Sequence, residues 1–198
     1  LGLYAAGDVA GGCPQKYVTG ALVEGEISAE SSIKYVENKE LPKLDENKIE
    51  EKFNEVKSYL NNKESLYKVD ELEEGMQTVM DKYAGGISSN YQFNEKQLNL
   101  ADDKIDAIIN LSENLKAKDI DELVEIYELK ERLIVCKAVI AHLRARKETR
   151  WHSFAENLDY PNKSNDYLKY VNSKLNNGNI EIIFRDLITG GDTYERNN

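Results

Sequence analysis

Cysteine, proline and long hydrophobic runs are all scarce in this sequence. Only two cysteines, Cys13 and Cys136, and three prolines occur in 198 residues. Two cysteines cannot build a disulfide framework, so the composition is typical of a reducing compartment and predicts a cytoplasmic protein. No apolar run approaches the ~20 residues that a membrane-spanning helix needs, and no signal-peptide pattern is present. We therefore expect no transmembrane segment.

Basic residues are fewer than acidic residues. The chain has 26 lysines and arginines against 36 aspartates and glutamates, which gives a net charge of −10. An acidic surface repels phosphate, so we expect no nucleic-acid partner. The 40% hydrophobic and 31% charged residues are typical of a globular protein of one or two domains. Because the chain opens at Leu1 without methionine, directly into apolar residues, we expect it to be cut from a longer protein.

Motifs for metal binding and nucleophilic catalysis are missing as well. The two histidines, His142 and His152, have no carboxylate at ligand spacing. The sequence contains no H-E-x-x-H, EF-hand loop, P-loop or Ser/His/Asp order. We therefore predict no metal site.

The middle of the chain carries a regular helical pattern. Apolar residues recur at alternating spacings of three and four, which places them on one face of each helix. The pattern predicts long helices at 70–84, 94–117 and 119–150, packed as an antiparallel three-helix bundle, with a shorter amphipathic helix after Asp45. Asn94 and Asp119 are predicted N-caps, and Gly85 is predicted to end the first long helix. The two clearest stripes are Leu98, Ala101, Ile105, Ile108, Ser112 and Leu115, then Ile126, Leu129, Leu133, Cys136, Ile140 and Leu143.

The third long helix has two further features. Extra apolar residues, Val124 and Val135 among them, widen its stripe enough to contact two partners, while Cys136 is predicted to be a packing residue. Its end carries a basic cluster of Arg144, Arg146, Lys147 and Arg150. This cluster complements the helix dipole, or alternatively forms an anion or partner site.

The first residues differ from the helical middle. Leu1–Ala6 is predicted to be a short strand, followed by a glycine-rich turn that contains Gly7 and Asp8, and then by a helix that begins near Thr19. Glycines let a ligand approach the backbone, a carboxylate accepts hydrogen bonds from sugar hydroxyls, and free amides at a helix start favour negative charge. The pattern predicts a site for a phosphorylated cofactor or a polar ring, or a purely structural turn.

The end of the chain predicts a short helix and a strand. Residues 166–175 have a helical pattern, the Asn177-Gly178 pair is a turn signal, and residues 180–184 alternate as in a strand. We expect this strand to pair with Leu1–Ala6, with a missing domain or with another chain.

Two separate stretches match the motifs of a known family. The first is G-L-Y-A-A-G-D at residues 2–8, followed by a helix with G-A-L at 20–22. The second is R-K-E-T-R at residues 146–150 with D-Y-P at 159–161, similar to the family pattern R-K-E-S-R…D-F-P. In this order, and joined by a three-helix bundle, they resemble the C-terminal part of the fumarate reductase and succinate dehydrogenase flavoprotein subunits. The family includes the alpha subunit of adenylylsulfate reductase.

The resemblance implies a cofactor, partners and site residues. It implies FAD in the parent protein, an iron–sulfur partner subunit, a small anionic substrate, and membrane association only through partner subunits. Residues 1–44 would end the FAD-binding domain, 45–160 would be the helical domain, and 161–198 a small α/β tail. Lys16 would meet the substrate as the catalytic-site cation. The residues implied to hold the flavin are Gly7, Asp8, Thr19, Gly20, Ala21 and Leu22.

The sequence also departs from the family pattern. Residues 13–21 read C-P-Q-K-Y-V-T-G-A instead of the H-G-A-N-R segment of the dicarboxylate enzymes, which favours adenylylsulfate over fumarate or succinate. Between Arg150 and Pro161 the chain is slightly longer than the pattern, and Trp151 and His152 replace small residues. No G-x-G-x-x-G unit is present, so we expect the chain alone neither to bind FAD tightly nor to turn over. The alternative is a non-catalytic helical interaction module.

Overall fold

The computed structural model describes residues 2–10, 17–37, 39–40, 43–60 and 65–187. The chain divides into two compact units, Leu1–Glu50 and Glu51–Asn198. The prediction of a mainly α protein is confirmed, whereas the predicted domains 1–44, 45–160 and 161–198 stay predictions. The helices are α1 (Val18–Val36), α2 (Glu46–Tyr59), α3 (Val69–Tyr83), α4 (Glu95–Ser112) and α5 (Ile120–Ala145), and the strands are β1 (Gln92–Phe93), β2 (Glu156–Asn157), β3 (Lys169–Asn176) and β4 (Asn179–Asp186).

In the first unit, an extended segment runs along α1. The Tyr4 hydroxyl donates to the Ser31 carbonyl at 3.1 Å, and the Ser28 hydroxyl donates to the Ala5 carbonyl at 3.1 Å. The predicted strand at Leu1–Ala6 is wrong for the residues that the structure describes, 2–6, because side chains of α1 and no neighbouring strand hold this backbone. A 3₁₀ turn, Gly7–Val9, follows this segment.

The second unit is built around the three long helices. Their predicted apolar stripes form one shared core, and Cys136 is buried within it as predicted. Burial in this apolar core raises the pKa of the Cys136 thiol, which keeps it in its unreactive protonated form. The buried core residues from α3, α4 and α5 are Leu72, Met76, Val79, Leu98, Ala101, Ile105, Ile108, Leu123, Ile126, Leu129, Leu133, Cys136 and Ile140.

Ion pairs between α4 and α5 confirm that these two neighbouring long helices are antiparallel. Arg144, near the end of α5, pairs with Glu95 at the start of α4 at 3.0 Å, and Lys130 pairs with Glu113 just after α4 at 2.9 Å. The starts of α4 and α5 also follow the sequence signals, whereas α4 ends at Ser112 and not at residue 117 as predicted. Asn94 and Asp119 each accept a hydrogen bond from the backbone amide three residues later, as N-caps do.

The predicted C-terminal helix at 166–175 is wrong. Strand β3 occupies Lys169–Asn176 and pairs with β4 in an antiparallel hairpin, so the predicted strand finds its partner within this chain. The turn is Asn177-Gly178, with φ of 48° and 80°. Positive φ at both turn positions is the geometry of a type I′ turn, whose twist matches that of the flanking strands. The helical structure in the predicted range is limited to a 3₁₀ turn, Asn165–Tyr167, just before β3.

Candidate functional site

A glycine turn lies against the start of α1 in the first unit. Gly7 is buried and adopts φ of 70°, a left-handed conformation that L side chains rarely adopt. Its amide donates to the Glu24 carboxylate, on the second turn of α1, at 2.8 Å. A Cβ added at Gly7 would lie 3.6 Å from the Ala21 Cβ, so the turn packs on the first turn of the helix. Two sequence-predicted positions, Gly7 and Ala21, are therefore brought together.

The N-terminus of α1 is not capped by a side chain of the described residues. The residue before the helix, Tyr17, is extended, and the first intrahelical hydrogen bond joins the Ala21 amide to the Tyr17 carbonyl at 3.0 Å. The amides of Thr19 and Gly20 precede that bond and have no helical acceptor. Free amides and the helix dipole make this end favourable for a negative or partly negative group.

Asp8 places a carboxylate beside this helix start. It belongs to the 3₁₀ turn and is exposed, as is the Thr19 side chain. The site thus combines one exposed acceptor carboxylate with the amide donors of an uncapped helix start, and the buried Gly7 turn packs on that helix. Lys16 lies outside the described residues, so its predicted role as a substrate-binding cation stays a prediction.

A second candidate lies after α5 and is centred on Glu148. We call Glu148, Arg146 and Arg150 the Glu148 cluster. The Glu148 carboxylate is fully buried and pairs with both guanidinium groups. Its Oε2 also accepts from the Ser164 amide at 2.9 Å. The two arginines extend to the backbone, Arg146 donating to the Tyr167 carbonyl at 2.9 Å and Arg150 to the Ser164 carbonyl at 3.0 Å.

The Glu148 cluster corrects the interpretation of the basic residues at the end of α5. The helix ends at Ala145, not at residue 150, and Arg146 and Arg150 bind a buried carboxylate. Burial acts to raise the pKa of Glu148, but hydrogen bonds from Arg150, the Ser164 amide and Arg146 hold that pKa below its ordinary value. The cluster therefore ties the end of α5 to the chain that leads into the hairpin.

Two further residues of this motif have structural positions that the sequence alone did not reveal. Thr149 is buried, and its hydroxyl contacts the Tyr160 carbonyl at 2.9 Å and accepts from the Asn157 amide at 2.9 Å. Asp159 accepts from the Glu95 amide at 2.7 Å and so stabilises the start of α4. An acidic residue with arginines two positions away on both sides is the signal for such a buried cluster. The side chains of the R-K-E-T-R…D-Y-P motif therefore stabilise the second unit through buried hydrogen bonds and ion pairs.

Two negative findings concern the part of the chain that the structure describes. No group of three or more histidines, cysteines, aspartates or glutamates there could hold a metal ion. No helix among these residues is long and apolar enough to cross a membrane.

Comparison with known proteins finds FAD-dependent oxidoreductases and related reductases, in agreement with the resemblance that the motifs carry. An uncharacterized FAD-dependent oxidoreductase of Methanocaldococcus jannaschii is 32% identical over 177 residues, which cover 84% of this chain and 30% of that protein. Adenylylsulfate reductase from Archaeoglobus fulgidus is 26% identical with a TM-score of 0.77, over 88% of this chain and 30% of that chain. Escherichia coli quinol fumarate reductase shares the fold at 18% identity and a TM-score of 0.70, over 86% of this chain and 30% of that one. No family model matches the sequence.

The fold of this chain is similar to that of flavoprotein subunits of the fumarate reductase type. Its homologues are FAD-dependent oxidoreductases, and the predicted resemblance to the adenylylsulfate reductase and fumarate reductase flavoprotein subunits is confirmed. The chain spans about 30% of the length of the relatives it matches.

Proposed function

We propose that this chain is the C-terminal part of an FAD-dependent oxidoreductase subunit that transfers electrons between flavin and a small anionic substrate. The observation that carries the proposal is the buried Gly7 turn, packed on the uncapped N-terminus of α1 with Asp8 exposed beside it. The relative from Methanocaldococcus jannaschii, an FAD-dependent oxidoreductase, supports the cofactor.

The residues present fit one end of FAD. The Asp8 carboxylate would accept hydrogen bonds from the hydroxyls of the ribityl chain. The amides of Thr19 and Gly20 would donate to the carbonyl end of the ring system, while Ala21 and Leu22 would border it. Gly7 lets the turn that carries Asp8 pack closely on α1, and its positive φ disfavours any other residue. When bound, FAD supplies the oxidation and reduction chemistry, and these residues bind and orient it.

The substrate we propose is adenylylsulfate, with a fumarate- or succinate-type dicarboxylate as the alternative. Identity and TM-score to the Archaeoglobus fulgidus adenylylsulfate reductase, 26% and 0.77, exceed those to the Escherichia coli fumarate reductase, 18% and 0.70. Both substrates are anions, and Lys16 would supply the cation that binds them as a point charge. An iron–sulfur subunit is the proposed electron partner, and any association with a membrane would be through partner subunits.

An Asp8→Ala substitution in the full-length parent protein tests the flavin site. We expect lower FAD occupancy after purification, because the ribityl hydroxyls lose a charged acceptor. Asp103→Ala is the matched control, since Asp103 is also an exposed aspartate but lies on α4. Equal FAD occupancy in the two variants would contradict the assignment of Asp8.

The helical interaction module is the second candidate function, and one observation favours it. The second apolar face of α5 is exposed, with Val124 and Val135 at 50% and 59% of their full exposure. Exposed apolar residues on a helix face that no other helix covers are typical of interaction sites. A parent protein that forms its complexes normally with no flavin would support this candidate instead.

A further inference from the structure

A cavity of about 440 Å³ opens beside the second apolar face of α5. Its size falls in the range of ~300–1,000 Å³ that small-molecule sites occupy. Apolar side chains from four segments form most of its wall, and every lining residue belongs to the second unit. The residues that matter for the argument are Phe93, Val135, Val139, His142, Trp151 and Val171.

One wall of the cavity belongs to the segment in which this chain departs from the family pattern. Trp151, the only tryptophan, forms a bridge with Ala155, whose amide donates to the Trp151 carbonyl at 3.1 Å. Ser153 at the tip of this turn adopts φ of 69°. The turn holds the indole at the cavity while leaving it 69% exposed. The FAD site proposed above makes no use of this turn.

The polar edge of the cavity carries net positive charge. Arg146 and Arg150 line it together with Glu148, so two guanidinium groups face one buried carboxylate. Within the described ranges, Arg150 Nη1 has no acceptor and the His142 ring has no hydrogen-bond partner. Burial, and then the charge of Arg146, lower the pKa of His142, so its ring is neutral near pH 7. The edge thus offers unused donors and one excess positive charge.

We propose that this cavity is a binding site for an organic anion with an apolar body, the class represented by medium-chain carboxylates. The apolar chain would lie against Val135, Val139 and Trp151, and the carboxylate would accept hydrogen bonds from Arg150 at the edge. An anion is favoured over a neutral molecule because the two arginines outnumber the single carboxylate. A cation is disfavoured for the same reason.

Trp151 makes the test direct, because its fluorescence reports on the cavity alone. Titrating the 198-residue chain with octanoate should give a saturable shift of Trp151 emission to shorter wavelength. Octanol has the same chain without the charge, and we expect it to bind about tenfold more weakly, the difference that one charge-assisted hydrogen bond makes. Equal affinity for octanoate and octanol would overturn the proposal.

Two valine variants on α5 provide the matched comparison. Val135 lines the cavity and Val124 does not, and each lies four residues from an existing glutamate on the exposed face. Val135→Glu should weaken octanoate binding by about tenfold or more, while Val124→Glu should leave it unchanged. Because both valines are half exposed, both variants should have the melting temperature of the unsubstituted 198-residue chain. Octanoate binding that is lost in both variants or in neither would refute the site, as would self-association that buries Trp151 without ligand.

Discussion

Replacing Glu148 by glutamine is the perturbation whose result the structure predicts most sharply. Glu148 is fully buried and accepts hydrogen bonds at 3.0 Å from Arg150 Nε, at 2.7 Å from Arg150 Nη2 and at 2.9 Å from the Ser164 amide, besides its pair with Arg146. Glutamine keeps one acceptor oxygen and turns an amide donor toward guanidinium donors. The variant therefore leaves two arginines facing each other without a carboxylate.

The magnitude follows from the bonds that are lost. At least two charge-assisted hydrogen bonds disappear, each worth ~1.5–3 kcal/mol. Breaking a buried pair by removing one partner costs ~3–5 kcal/mol, but the arginine side chains are 31% and 25% exposed, so water compensates in part. We expect Glu148→Gln to lower the free energy of unfolding by about 3 kcal/mol. Glu128→Gln is the control, because Glu128 also pairs with an arginine but is half exposed, and it should cost no more than ~0.5 kcal/mol.

The pH dependence of stability supplies an independent check. Because the pKa of Glu148 is lower in the folded than in the unfolded chain, its ionised form stabilises the fold above the unfolded pKa of ~4.3. That contribution declines as the pH falls through the folded pKa, and the variant should lack this part of the decline. Urea unfolding followed by Trp151 fluorescence measures both effects. Unfolding free energies of the two glutamine variants within ~0.5 kcal/mol of each other would refute the reasoning.

Three further predictions concern the second unit. Ile126→Ala should lower the free energy of unfolding by ~2–5 kcal/mol, because Ile126 is completely buried, whereas Val124→Ala on the exposed face should cost less than ~1 kcal/mol; urea unfolding compares them. Asn94→Ala removes the N-cap of α4 and should cost ~1 kcal/mol, measured by thermal unfolding, and an unchanged melting temperature would contradict this. Tyr59→Phe removes the hydroxyl that accepts from the Lys130 ammonium at 2.6 Å and should cost ~1–2 kcal/mol, so a chain as stable as the parent by urea unfolding would argue against this bond.

The helical unit could be predicted from the sequence because its signals are local and agree with one another. In α4, Leu98, Ala101 and Ile105 follow the three-four spacing, and the N-cap Asn94 precedes them at the expected place. The same spacing identified Ile126 and Leu129 in α5. A capped helix with an apolar stripe is stabilised when that stripe packs against the stripe of a neighbouring helix.

The predictions that failed depend on contacts between distant residues. Tyr167, Leu168 and Val171 have helical spacing, yet pairing with β4 draws Val171 into a hairpin opposite Phe184. The Asn177-Gly178 pair, with a strand after it, was the signal that could have identified β3. The predicted last residue of α5 was likewise too far along the chain. The ion pair between Arg146 and the buried Glu148 ends the helix earlier, and the helical spacing of apolar residues gives no sign of that pair.

The candidate flavin site was predictable only in part. Its residue types and order could be read from the sequence, since a glycine turn with Asp8 precedes the helix that begins at Val18. The hydrogen bond from the Gly7 amide to Glu24 could not be predicted, because nothing in the sequence connects those two positions. That bond fixes the turn on α1 and so sets where Asp8 lies.

The central proposal is that this chain is the C-terminal part of a flavin-binding oxidoreductase subunit. The flavin content of the full-length parent protein tests this proposal most directly. The parent should be yellow when purified and should release FAD in stoichiometric amount on denaturation, identified by its absorbance and by chromatography. A full-length parent that purifies colourless and cannot be reconstituted with added FAD would contradict the account.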